Sequence, residues 1–182
     1  MTSLFSNKAG DATFDVDAYV KGLTELTGRA DPLEILPQLP GKVRAAVAGL
    51  TDAQLRTPES PGKWSMRDVI RHLTDGELVF AWRYRMIIAH DRPEISGYDQ
   101  DLWVSRLDRD DDIEVILEEL EAVRMLNLRL LRRQPPEVWE RVGMHAERGA
   151  ESLARLARMG AGHDIVHTRQ LLRIRDALTA RY

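Results

Sequence analysis

No cysteine occurs among the 182 residues. That absence excludes disulfides, thiolate metal ligands and a cysteine nucleophile, so any metal must be held by nitrogen and oxygen. Neither sign of charge dominates: 26 basic residues face 29 acidic ones, for a net charge of −3. The balance gives no reason to expect nucleic acid or an anionic membrane as a partner. Arg129, Arg132 and Arg133 cluster, but Glu118, Glu119 and Glu121 precede them on the same segment, as on a solvated helix face. No stretch of about 20 apolar residues is present, so no helix is expected to span a membrane. The opening "MTSLFSNKAGDATFDVDAY" lacks a sustained apolar run, and the expected address is the cytoplasm. Alternating β-branched runs are few, which makes a sheet improbable. "DPLEILPQLPGKV" holds Gly41-Lys42 without the first glycine or the following Ser/Thr of a phosphate loop, and no Ser-His-Asp arrangement is visible.

What is present is helical. Hydrophobic residues make up 43% and charged residues 30%, the composition of one soluble globular domain with a real core. Residues 1–12 read as a loose tail. "DVDAYVKGLTELTG" reads as a short helix, with Asp15 as start and Gly28 as stop. A helix over about Gly41–Leu50 follows, with a kinked extension back to Leu33 across Pro37 and Pro40. Ser65 with Asp68 forms a capping box for a long helix over about Met66–His90. The connection "DRPEISGYDQDLWVSRLDRD" is long enough to be functional or to hide a short helix. Ile113, Ile116, Leu117, Leu120, Val123 and Leu130 give a third long helix, stopped by Pro135 and Pro136. The last helix runs from about Ala150 to Thr179. Four main helices in one domain predict an all-α four-helix bundle over 31–182, preceded by a tail and short extra helix over 1–30.

Five histidines are present. His163 and His167 are four apart, so they lie about 6 Å apart on one helix face. That face otherwise carries Leu153, Leu156, Gly160, Leu171, Ile174 and Leu178, the stripe a helix turns to its core. Burying an imidazole without a partner costs about 1–3 kcal/mol. A cation accepting a lone pair from each ring removes the penalty; hydrogen-bonded core histidines are the alternative. Gly160 and Gly162 lower helix propensity and let another helix or a ligand approach closely. A third ligand must come from elsewhere, and His72, at the edge of its own apolar face, is the best placed. His90 lies roughly 27 Å further along that helix and reads as structural or surface. His145 reads as a solvated loop residue.

"PGKWSMRDVIRHLTDGE" at 61–77, "GYDQDLW" at 97–103 and "GHDIVHTRQLLRI" at 162–174 together resemble the DinB/YfiT-like family. The resemblance covers about Leu33 to Leu178. It implies a bundle with an up-down-down-up path, often a homodimer. It also implies a divalent metal on one histidine of the second bundle helix and two of the fourth, which here fall on His72, His163 and His167. Val166 stands where many relatives have histidine or asparagine. Family members include thiol-dependent transferases, using low-molecular-weight thiols, and proteins called metal-dependent hydrolases.

Three neutral imidazoles leave a divalent ion with open positions, where it can bring the pKa of water or a substrate thiol toward about 7. Zinc or nickel suits nitrogen ligands, as do iron and copper. Asp164 and Gln170 are candidates to fix the ring tautomers. Asp75 and Glu77 are candidate general bases, or else solvated or paired with arginines such as Arg71. Tyr98, Asp99, Gln100 and Trp103 are placed to line the site mouth or to pack across a dimer, while Trp64 and Trp82 read as core. The expectation is a metal-dependent transferase or hydrolase acting on a small molecule. The rival is a non-catalytic, metal-stabilised bundle serving as a binding or stress-response module. Metal binding is expected to weaken below about pH 6 as the imidazoles protonate.

Overall fold

The computed structural model describes residues 16–107 and 110–180. The tail at 1–12 and the expected start at Asp15 lie outside the described residues. Nine α-helices are described: α1 (Val16–Leu26), α2 (Pro32–Ile35), α3 (Leu39–Val47), α4 (Asp52–Leu55), α5 (Met66–Ala89), α6 (Gln100–Arg106), α7 (Ile113–Leu131), α8 (Pro136–Trp139) and α9 (Leu153–Thr179). A 3-10 turn over Leu36–Gln38 joins α2 to α3, so the kinked extension toward Leu33 is present as a broken helix. The long helices start where side chains satisfy their first amides. Ser65 accepts from the Asp68 amide and Asp68 accepts from the Ser65 amide at the head of α5. Asp112 caps α7 and Ser152 caps α9. Each such cap contributes about 1 kcal/mol. None of the described helices is long and apolar enough to cross a membrane.

The helix directions follow from the bonds between them. Arg67 of α5 donates to the Asp111 carbonyl just before α7, and further along Glu77 accepts from Asn127, so α5 and α7 run parallel. Leu36 meets Gly160 at one end, and Arg175 donates to the Ala46 carbonyl at the other, so α3 and α9 are parallel too. Arg44 pairs with Glu114, while Arg124 donates to the Leu36 carbonyl, which makes α3 antiparallel to α7. The path is up-down-down-up, as expected. Two parallel helices in succession need a long crossover, which explains the connection between α5 and α7. The extra helix α1 packs antiparallel along α9: a Cβ at Gly162 would run into the backbone of Leu23. Gly162 therefore serves the close approach that the sequence assigns to it.

A sheet is present, contrary to expectation. β1 (Glu94–Ile95) pairs in parallel with β2 (Val142–His145), which pairs antiparallel with β3 (Gly149–Ser152). These strands are too short for alternation to show, and β1 and β2 meet only through the tertiary fold. The last helix accordingly begins at Leu153 rather than Ala150. Arg141, just before β2, donates to the carbonyls of Ile87 and His90 and so ties the sheet to the end of α5.

The core is divided. One apolar cluster holds Leu39, Val69, Leu73, Leu120, Leu171 and Ile174. The other holds Leu36, Tyr84, Ile87, Leu128, Leu153 and Leu156. Between them, at mid-height, the three longest helices turn polar: His72 and Glu77 on α5, Arg124 and Asn127 on α7, His163, Asp164 and His167 on α9. A bundle that needed only stability would place apolar side chains here.

Candidate metal centre and its cleft

Turns of α5 and α9 bring three imidazoles together at this mid-height. His72 and His163 face each other with Nε2 atoms 2.9 Å apart. The ring centroids of His72 and His167 are 4.8 Å apart, and those of His163 and His167 4.4 Å. Each residue offers one ligand atom, all within 4.8 Å of one another. Two nitrogens on one tetrahedral zinc lie about 3.3 Å apart, close to the His72–His163 separation. Burial holds all three rings neutral: it drives His72 and His163 well below the usual 6.5 and His167 down to about 4.

The surroundings fix the rings. His167 Nδ1 donates to Gln170 Oε1 at 2.8 Å, which leaves the Nε2 lone pair for the cluster. Trp64 packs its ring 4.9 Å from that of His72, so the expected core role of Trp64 holds, though it is only half-buried. The Nδ1 of His72 is buried with no hydrogen-bond partner. Two facing Nε2 atoms and an orphaned Nδ1 are poorly satisfied by protein alone, and nitrogen donors in this number could hold a divalent ion.

His72 and His167 are buried, whereas His163 is half-buried and borders a cleft of about 120 Å³. The cleft is bounded by α1, α5, the crossover and the β2–β3 turn, through Tyr19, Phe80, Arg83, Tyr98, Glu147 and Arg148 among others. Tyr98 and Gln100 thus line the mouth, as the sequence allows. Trp103 instead packs against the Tyr98 ring, 4.8 Å between centroids, and Asp99 caps α6.

Several expectations fail here for identifiable reasons. Asp164 touches no imidazole; Arg124 holds both its oxygens, at 2.6 and 2.9 Å. Of the readings open for Glu77, pairing with an arginine is borne out, though the arginine is Arg124 at 2.8 Å rather than Arg71, with Asn127 at 3.1 Å. Both carboxylates are committed to one arginine that the apolar periodicity of α7 concealed. Burial lifts the Asp164 carboxyl to about 6 despite Arg124. Asp75 is half-buried on α5 and outside the three-histidine cluster. His145 is not solvated: it is 2% exposed, because the alternation of β2 turns it and Gly143 inward. Trp82 is 45% exposed, since it shares the outer face of α5 with Leu78 one turn earlier. His90 lies at the surface just past α5, as expected.

Comparison with known proteins agrees with this architecture. The DinB superfamily model matches residues 36–171. The chain belongs to the DinB superfamily. This DinB protein is 31% identical over 132 residues to a protein of Oceanobacillus iheyensis, covering 72% of this chain and 77% of that one. It is 26% identical over 146 residues to one of Bacillus mycoides, covering 80% and 84%. Both relatives are provisionally named metal-dependent hydrolases. Among solved structures, YfiT from Bacillus subtilis superposes with a TM-score of 0.73 at 25% identity, covering 82% of this chain and 85% of that one. YfiT is described as having an unusual four-helix bundle topology and carries the same provisional activity.

Proposed function

We propose that this DinB protein is a cytoplasmic, homodimeric, metal-dependent enzyme acting on a small molecule, with His72, His163 and His167 as the ligands of one divalent ion. The observation that carries the reading is the convergence of three neutral imidazoles from two helices, one of which, His163, borders a cleft. When bound, such an ion supplies Lewis acidity that acidifies a water or a thiol near neutral pH. The chain's own residues orient and exclude. Gln170 sets the tautomer of His167, Trp64 shields His72 from water, and Phe80 stands edge-on to His163, 6.4 Å between ring centroids. Arg124 removes Glu77 and Asp164 from proton transfer and uses them to fix the height of α9 against α5 and α7. Activation of a nucleophile would then fall to the ion rather than to Glu77 or Asp164, which suits a thiol at least as well as water.

The rival reading, a metal that only staples two helices, calls for a closed shell of protein ligands. Among the described residues the cluster comprises three candidate ligands, and His163 borders a cleft. Both features favour catalysis. Elemental analysis of protein purified without a histidine tag tests the ligand set, with about one zinc, nickel, iron or copper per chain expected. Cobalt substitution then separates the chemistries. A visible band that shifts on adding a low-molecular-weight thiol supports thiol transfer; a band indifferent to thiols, with turnover of an activated ester, supports hydrolysis. Protein that takes up no divalent ion at pH 8 overturns the proposal. Light scattering reports the dimer.

A further inference from the structure

We infer that Arg83 is a substrate-recognition residue that receives a carboxylate at the end of the cleft away from the three histidines. The inference rests on the reading of this cleft as the substrate site, and adds to it the charge class of the substrate.

Arg83 is 6% exposed, yet among the described residues it has no acidic partner within ion-pair distance. It contrasts with Arg124, also buried, which is held by two carboxylates. Nη2 of Arg83 donates to the Ser96 carbonyl at 2.8 Å, while its Nε is buried without a partner. The remaining contact, to His145 Nε2 at 3.4 Å, is long and brings no negative charge. The partners of Arg83 are thus a carbonyl and an imidazole, neither of them negatively charged. Burial foremost, and then the positive Arg148, lower the Arg83 guanidinium to about 10 against the opposing pull of Glu151, Tyr98 and Glu147.

A buried guanidinium on a cleft wall matches the planar, two-oxygen face of a carboxylate or phosphate. The charge count favours the carboxylate. Arg148, the other cation of the cleft, is already held by Glu151 at 2.6 and 2.9 Å. Glu147 on the same rim is negative and exposed. Among the described residues Arg83 therefore stands outside any ion pair, while the two cations and two carboxylates here sum to zero, which disfavours a dianion more than a monoanion.

The spacing sets the length. Gly76, whose Cβ position lies 3.8 Å from the His163 ring, stands seven residues before Arg83 on the same face of α5. Two turns of helix separate them by about 10 Å. A substrate reaching both ends carries its reacting group and its carboxylate several carbons apart.

The test uses the full-length protein as purified and two matched pairs of probes. Calorimetric or NMR titration first compares hexanoate with hexanol, neither of which carries a thiol. Hexanoate is expected to bind about tenfold more tightly, a preference that Arg83→Gln abolishes and Arg83→Lys keeps in part. Equal binding of the two probes to the wild type overturns the inference, whether or not the variants fold. So does a preference unchanged in a folded Arg83→Gln protein. Hexyl phosphate binding more tightly than hexanoate overturns the assignment of the anion as a carboxylate. The second pair, 6-mercaptohexanoate and 6-mercaptohexanol, adds a thiol at the far end. If the carboxylate preference persists while the thiol adds no affinity, the metal reading fails and the Arg83 site stands.

Discussion

Arg124 grips both carboxylate oxygens of Asp164, at 2.6 and 2.9 Å, one residue away from His163. The pair spans α7 and α9 inside the bundle, and Glu77 of α5 completes it at 2.8 Å. Truncating the arginine strands two buried carboxylates. Arg124→Ala is expected to lose about 3–5 kcal/mol in urea denaturation. The triple variant Arg124→Met, Glu77→Gln, Asp164→Asn should recover much of that loss. If Arg124→Ala melts like the wild type, the triad does not hold the three helices.

The ligand set makes a separate prediction. His72→Ala, His163→Ala and His167→Ala should each lose most of the metal, while His90→Ala keeps it, as read by elemental analysis after dialysis. Equal loss from all four refutes the assignment. Gln170→Ala should retain the fold and bind metal about 10–100-fold more weakly, because the tautomer of His167 is no longer fixed. Affinity within about twofold of wild type would remove Gln170 from the site.

Acid sensitivity follows from the buried imidazoles. Burial depresses His167 to about 4, and burial with Arg148 and Arg83 depresses His145 to about 4, against 6.5 for a free ring. A depressed histidine binds its proton more readily in the unfolded chain. Its neutral form therefore stabilises the fold fully above pH 6.5, and the contribution declines as pH falls from 6.5 through 4. Metal-stripped protein should lose stability over that window, by about 3 kcal/mol for His167 alone. The metal, for its part, should be retained below the pH of about 6 that free imidazoles imply, since protons compete poorly at buried rings. Metal release half-complete at about pH 6 or above would contradict this.

Packing of the extra helix is tested at one atom. Gly162→Ala places a methyl group against the Leu23 backbone, where no flexible side chain can yield. We expect a loss of about 1–3 kcal/mol, with amide exchange faster in α1 than in α5. Uniform behaviour across the helices would show that α1 does not depend on this contact.

The bundle was legible because its signals are local. The capping box at Ser65, the stop at Pro135-Pro136 and the apolar periods of α5, α7 and α9 each act within a few residues. The site was legible in outline for the same reason: His163 and His167 share a face by helical pitch alone. Its supporting cast was not. Arg124 interrupts an apolar stripe, and nothing within α7 tells that Glu77 and Asp164 will meet it. His145 reads as a loop residue because β2 becomes a strand only when β1, roughly fifty residues earlier, lies beside it.

By itself the sequence determined that the chain is helical, that any metal must sit on nitrogen or oxygen, and that two imidazoles point inward together. Local backbone preference and residue chemistry suffice for those. Only the tertiary structure decided that His72 joins them, that the nearby carboxylates neutralise one arginine, and that Arg83 stands on a cleft wall outside any ion pair among the described residues. Those depend on which distant segments are packed side by side, and on how much water the packing removes.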